Sequence, residues 1–206
     1  MSSESSTPAQ AQSVSLTGFT STNWHAPFDV EKQLSAVPPD AKVKGMFYND
    51  LYKLAEAASI ELPHGRYSAF GDYPLVEYMR SVALVARAAH PSASVAEGIR
   101  RVGERGFGIL ASSLAGKVLF ALAGRDLQST LGLVSQAYRR CLDPGDAQLA
   151  LIEPGRAVIL LRSIWNFPTA YQVGVFEGAI RNFGHTGSVK VRAHSACDAD
   201  FLLEWR

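Results

Sequence analysis

The sequence predicts one α+β domain: a layer of about five helices, then an antiparallel sheet of about four strands that carries a single helix, in the order β-β-α-β-β. Three observations predict it. Apolar residues recur at three- and four-residue steps as far as Cys141. Beyond that point the pattern shortens to β-prone runs separated by turn signals. One last helical stripe, around Phe176, interrupts those runs.

Residues 1–15 are rich in Ser, Gln, Ala and Thr and bury too little apolar surface to offset the entropy of ordering, so a disordered tail is expected ahead of a domain spanning 16–206. Leu16 to Pro39 holds Trp24, Phe28 and Leu34, which pin it to the body, and Asp29 can cap a short helix reaching about Ser35. From Val43, the positions Met46, Phe47, Leu51, Leu54 and Ala58 form one buried helical face. A loop runs from Leu62 to Tyr73. Pro74 then opens a helix with its seam at Leu75, Met79, Val82 and Ala86, and Pro91 ends it. Ser94 and Glu97 make a capping box for a helix expected to bend or break between Gly103 and Gly108. A shorter helix covers Leu114 to Ala123. The stripe Leu127, Leu131, Val134, Tyr138 and Cys141 reads as one firm helix, halted before Asp143-Pro-Gly145.

Ala147 to Ile152 and Ala157 to Ile164 are the first two strands, divided by the turn Glu153-Pro-Gly155. Phe167-Pro168 begins the last helix, with Val173, Phe176, Ile180 and Phe183 on one face and Gly184-His-Thr-Gly187 as its stop. Val189 and Val191 alternate with Lys190 and Arg192, and Phe201 to Trp205 pairs back across the turn from Ala196 to Asp200.

The chain has 206 residues with 20 basic and 19 acidic side chains, a net charge of +1. That balance lacks the basic footprint by which nucleic-acid binders displace counterions, and it gives an anionic membrane nothing to attract. No apolar run approaches the roughly 20 residues of a membrane span, and the N-terminus has no basic and apolar regions of a secretory signal. A cytoplasmic protein is expected. Cys141 and Cys197 are too few for a disulfide framework.

Local motifs give no catalytic constellation. Gly103-Glu-Arg-Gly-Phe-Gly108 is glycine-rich but does not join a strand to a helix, and it lacks the Lys-Ser/Thr ending of a phosphate loop. No two of His25, His64, His90, His185 and His194 share zinc-helix spacing, and His90 at a helix end suits the helix dipole. Cys141 falls on an apolar seam, while Cys197 lies in the hairpin turn. No serine sits within G-x-S-x-G. Gly174 and Gly178, four apart, make a ridge that allows either close helix packing or self-association. Two aromatic loops stand out: Tyr67, Phe70 and Tyr73 in one, and Trp165 and Phe167 behind Arg162 in the other. Either they fold back onto the core, or they border an apolar pocket between helices and sheet.

Lys44-Gly-Met-Phe-Tyr48, Tyr67-Ser-Ala-Phe-Gly-Asp-Tyr-Pro74, Gly98-Ile-Arg-Arg-Val-Gly103, Gly116-Lys-Val-Leu119, Gln172-Val-Gly-Val-Phe-Glu-Gly178 and the terminal Glu204-Trp205 together carry a resemblance. From about Phe28 to Arg206 the chain resembles an uncharacterised bacterial family expanded as paralogues in myxobacteria. Its C-terminal unit also resembles the fold superfamily of haem-nitric-oxide-binding domains, four-vinyl-reductase-type ligand sensors and Bet3-like tethering subunits. That resemblance implies a sensor or a dimeric interaction module rather than an enzyme. The Tyr-x-Ser-x-Arg motif that holds haem propionates has no match, Tyr67-Ser-Ala-Phe70 being the nearest stretch. Where zinc-binding members carry cysteines around the final hairpin, this chain has Cys197 and Asp200. No cofactor is therefore expected. The leading expectation is a non-enzymatic sensory or regulatory module that binds a small apolar ligand near Tyr67, Phe70, Tyr73, Arg162, Trp165 and Phe167. The alternative is a ligand-free interaction module, a homodimer that meets through Gly174 and Gly178 or joins a regulatory protein partner.

Overall fold

Two hydrophobic cores, one among helices and one beneath a sheet, meet along a seam. The computed structural model of the chain describes residues 14–62, 65, 67–121, 123 and 126–206. Most of the expected N-terminal tail, residues 1–13, lies outside the described residues, as does His64.

The helical layer begins with α1 (Val30–Ala36), where the Asp29 carboxylate accepts from the Lys32 N–H at 2.9 Å, as its position before the helix requires. Next come α2 (Gly45–Ala57) and α3 (Leu75–Ala89). The Ser94 hydroxyl caps α4 (Val95–Gly103) through the Glu97 N–H. The expected break falls at Glu104 and Arg105, after which α5 (Gly106–Ser112) and α6 (Leu114–Phe120) follow. The single helix expected over 127–141 is two, α7 (Leu127–Leu131) and α8 (Val134–Cys141). Leu133 leaves the helical region at φ −99°, ψ 7°, so the chain kinks while the seam stays on one face. The expected five helices are thus eight shorter ones among the described residues.

Three very short strands form a small antiparallel sheet that the sequence pattern did not predict. β1 (Lys42–Lys44) lies between β2 (Asp72–Pro74) and β3 (Leu142–Asp143), so the loop before α3 and the end of α8 are tied to the start of α2. The main sheet comprises β4 (Asp146–Glu153), β5 (Arg156–Arg162), β6 (Gly187–Ala193) and β7 (Ala199–Trp205), ordered β4-β5-β7-β6 and antiparallel throughout. The last helix starts as a π-helical turn (Pro168–Gln172) and continues as α9 (Val173–Asn182). The β-β-α-β-β order is as expected. Thr20 bridges to Val191 and so covers part of the β6 edge.

α9 packs on the sheet through Val173, Phe176, Ala179 and Ile180, with the Phe176 ring 5.0 Å from that of Phe201 on the central strand β7. Its other side meets α4. A Cβ added at Gly174 would overlap the Arg100 carbonyl oxygen, one at Gly178 the Glu104 carbonyl, and one at Gly103 the Tyr171 carbonyl. The Gly174/Gly178 ridge is therefore covered by α4 within the chain, the closer of the two uses its spacing allowed. Among the described residues no helix is long and apolar enough to cross a membrane.

Candidate functional site

The seam between the two cores holds a cavity. Its volume is about 80 Å³. That is below the span of about 300–1,000 Å³ typical of drug-sized ligand sites, so it suits only a small molecule. Its walls come from both cores: Phe47 of α2, Phe107 of α5, Phe120 of α6, Cys141 of α8, and Phe176 of α9. The closing edge is the corner between β5 and the π-helical turn, through Asn166, Tyr171 and Gln172.

That corner is conformationally costly. Ser163 and Phe167 take positive φ values of 55° and 43°, a region in which non-glycine residues cost about 1–3 kcal/mol each. Pro168 bars Phe167 from the right-handed helical region, and the buried Phe167 ring, 5.8 Å from Phe28, holds it in place. The hairpin turn between β6 and β7 anchors the other end. Ser163 N–H donates to Asp198 Oδ1 at 2.9 Å, and Ile164 N–H to the Cys197 carbonyl at 2.8 Å. The backbone bond from Ser163, and then the Ser195 hydroxyl, hold the Asp198 carboxyl below its usual range.

Between these anchors, two neighbouring residues each bury a polar atom with no hydrogen-bond partner: Trp165 Nε1 and Asn166 Oδ1. Asn166 is 2% exposed and lines the cavity. An unpaired buried carbonyl costs about 1–3 kcal/mol. Other polar groups of the wall are engaged. Tyr138 donates its hydroxyl to Gln172 Oε1 at 2.6 Å, the Tyr171 and Tyr78 hydroxyls lie 2.8 Å apart, and Thr130 donates to the Asp126 carbonyl at 2.9 Å. Burial pushes the Cys141 thiol up to about 12, so it stays protonated at neutral pH. Burial likewise raises Tyr138 and Tyr171. Among the described lining residues there is no Lys, Arg, His, Asp or Glu.

The six residues expected to border a pocket are not among those that line this cavity. Tyr67 and Tyr73 stack on Tyr48, with ring centroids 4.2 Å apart for Tyr48–Tyr67 and for Tyr67–Tyr73. Asn49 brackets Tyr67, donating to its carbonyl at 2.8 Å. Phe70 is exposed at 58%. Arg162 turns away along the sheet to Asp200 Oδ1, 2.8 Å distant. Trp165 and Phe167 flank Asn166, so the corner carrying them does reach the cavity, through the residue between. Asn166 carries no pattern signal of its own, being one amide in an aromatic run.

Two other sites lack the chemistry they suggested. Cys141 and Cys197 are both free, and among the described residues no group of three His, Cys, Asp or Glu side chains is placed to hold a metal ion. Asp200 instead bonds to Arg162, Arg192 and His194. Burial pushes its carboxyl up, but the bonds from those three outweigh burial and hold it low. Burial, and then Arg101, lower the pKa of His90, against the dipole effect expected of it.

A helical layer on one side of the cavity and a four-stranded sheet with its helix on the other define an α+β domain. Residues 37–206 match the family DUF2378, proteins of unknown function, and the chain belongs to that family. Among solved structures, the Fe(II) unliganded H-NOX protein from K. algicida aligns with a TM-score of 0.58 at 14% identity, covering 79% of this chain and 96% of that one. The SO2144 H-NOX domain from Shewanella oneidensis in its Fe(II)CO state gives 0.57 at 16%, covering 79% and 98%. A third H-NOX structure, from work on haem distortion, gives 0.56 at 16%, covering 79% and 92%. Among curated proteins, none matches the chain.

The described lining does not suit the haem of that fold family. A haem iron needs an axial donor and its propionates need cationic partners. Here the thiol is held protonated, both tyrosine hydroxyls are engaged, and no described wall residue is a histidine or a cation.

Proposed function

We propose that this protein is a non-enzymatic sensory or regulatory module that binds a small apolar ligand in the cavity between its helices and its sheet. The cavity of about 80 Å³ with its aromatic wall carries the reading. The fold adds support, since the S. oneidensis domain of the same fold was solved with a small ligand bound. Engagement of the wall's hydroxyls with other protein groups favours binding over catalysis, because a catalytic acid or base must be free to exchange a proton with substrate. Solvent extraction of purified protein followed by mass spectrometry, together with a thermal-shift screen of hydrophobic compounds, tests it. A co-purifying molecule or a raised melting temperature is expected. No molecule and no shift across the panel would end the proposal.

The alternative of a ligand-free homodimer draws on a different surface from the one the sequence suggested. Leu114 and Val118, one turn apart on α6, are 67% and 61% exposed. Sedimentation at micromolar concentration decides it, and a monomer would dismiss this reading.

A further inference from the structure

We infer that Asn166 is the recognition residue of this cavity, and that its ligand is an uncharged, ring-sized molecule, apolar except for one hydroxyl that bonds the Asn166 side-chain amide. The inference rests on the cavity being a ligand site, as proposed above.

Four observations converge on it. Asn166 is 98% buried, the complement of its 2% exposure, it lines the cavity, and its Oδ1 has no partner. Its backbone carbonyl, by contrast, accepts from Gln172 Nε2 at 3.4 Å, so the main chain is tied while the side chain is left free. The corner that presents it has left-handed residues on both sides, at Ser163 and Phe167, and runs into a π-helical turn. Strain of this kind persists where the surrounding structure over-determines it, and π-helical turns concentrate at functional sites.

The wall also dictates what the ligand lacks. No charged side chain is present among its described residues, so an ion entering would lose its hydration without a partner. Tyr138, Gln172, Tyr171 and Thr130 are engaged with protein groups, which leaves Asn166 to meet a single polar group on the ligand. A hydroxyl both donates and accepts, so it satisfies the amide whichever way the amide is turned. The rings of Phe47, Phe107, Phe120 and Phe176 provide the apolar enclosure for the rest.

The test uses the full chain and its Asn166→Leu variant, which keeps side-chain size while removing the amide. The probes are phenol, toluene and benzoate, the first two having the same number of heavy atoms. Calorimetric titration should show phenol binding the wild type, benzoate not binding, and phenol affinity falling about tenfold or more in Asn166→Leu, the loss of one hydrogen bond. Toluene affinity should be unchanged or higher in the variant. The ligand-free variant should melt at or above the wild-type temperature, because it no longer buries an unpaired carbonyl. Equal phenol affinity in both proteins, or a lower melting temperature with phenol binding unchanged, would make Asn166 a structural residue and overturn the inference. Toluene binding without preference for phenol would leave the cavity reading standing and remove only the role of Asn166. Binding of neither phenol nor toluene would sink both. Should Asn166→Leu fail to fold, the Asn166 side-chain amide resonance of the wild type decides: a shift with phenol but not toluene supports the inference, and no shift overturns it.

Discussion

The two aromatic corners of this molecule, one before α3 and one after β5, use similar residues to opposite ends. In the first, Tyr48, Tyr67 and Tyr73 stack, and their polar atoms are spent. Tyr48 donates to the Pro74 carbonyl at 2.9 Å, and the Tyr73 hydroxyl accepts from the Ser68 N–H at 2.9 Å. In the second, Trp165 and Phe167 enclose an unpaired amide between two strained residues. The first corner closes the small sheet and adds stability. The second gives stability up, and that free energy is available to whatever satisfies Asn166.

Breaking the closed corner should have the largest effect. Tyr48→Ala removes a fully buried ring and a hydrogen bond, and should cost about 3–5 kcal/mol, read by urea denaturation. A cost under about 1 kcal/mol would show that the stack is ornamental. Gly174→Ala acts beyond the open corner, where the new methyl meets the Arg100 carbonyl; the overpacking should cost about 2 kcal/mol.

Acid and alkali should separate the corners. The folded pKa of Asp198 lies below its ordinary value, so its stabilisation is present above about pH 4 and disappears as pH falls through the lower folded value. Burial raises Tyr48 and Tyr67, so their stabilisation is complete below about pH 10 and disappears as pH climbs above it. The protection of the Ser163 amide against exchange, relative to its intrinsic rate, should therefore fall in acid, and near-ultraviolet dichroism of the tyrosine stack should change in alkali. Asp198→Ala should cost about 1 kcal/mol, since the bonds it removes are exposed, and should abolish the acid effect on Ser163. The smallest change is Ser163→Gly. It relieves a left-handed residue and should stabilise the chain by about 0.5–1 kcal/mol, seen as a modest rise in melting temperature. A fall would mean the serine is not strained.

The sheet unit and most helices were legible because each has enough residues to display a period. The π-helical turn, the split at Leu133 and the small sheet were not. β1, β2 and β3 have three, three and two residues, too few to show alternation. The 127–141 stripe stays on one face across its kink, so periodicity reads through it. Cys141 was correctly placed on a buried seam, but a seam does not reveal that a space lies beside it. The six aromatic-loop residues do not line the cavity, whereas Asn166, between two of them, does. Aromatics are conspicuous in a sequence, whereas Asn166 matters because of an absent partner, and an absence has no sequence signal.

The glycines between α4 and α9 make these two helices a single mechanical part. Where backbone rests on backbone, no side chain can change rotamer to absorb a displacement. Arg100 reaches across to Glu177, and Arg181 to Glu104, which secures both ends of the contact. The cavity wall at Phe176 is thereby joined by close backbone contact to α4, whose Arg100 guanidinium lies 5.3 Å from the Trp24 ring in the N-terminal segment.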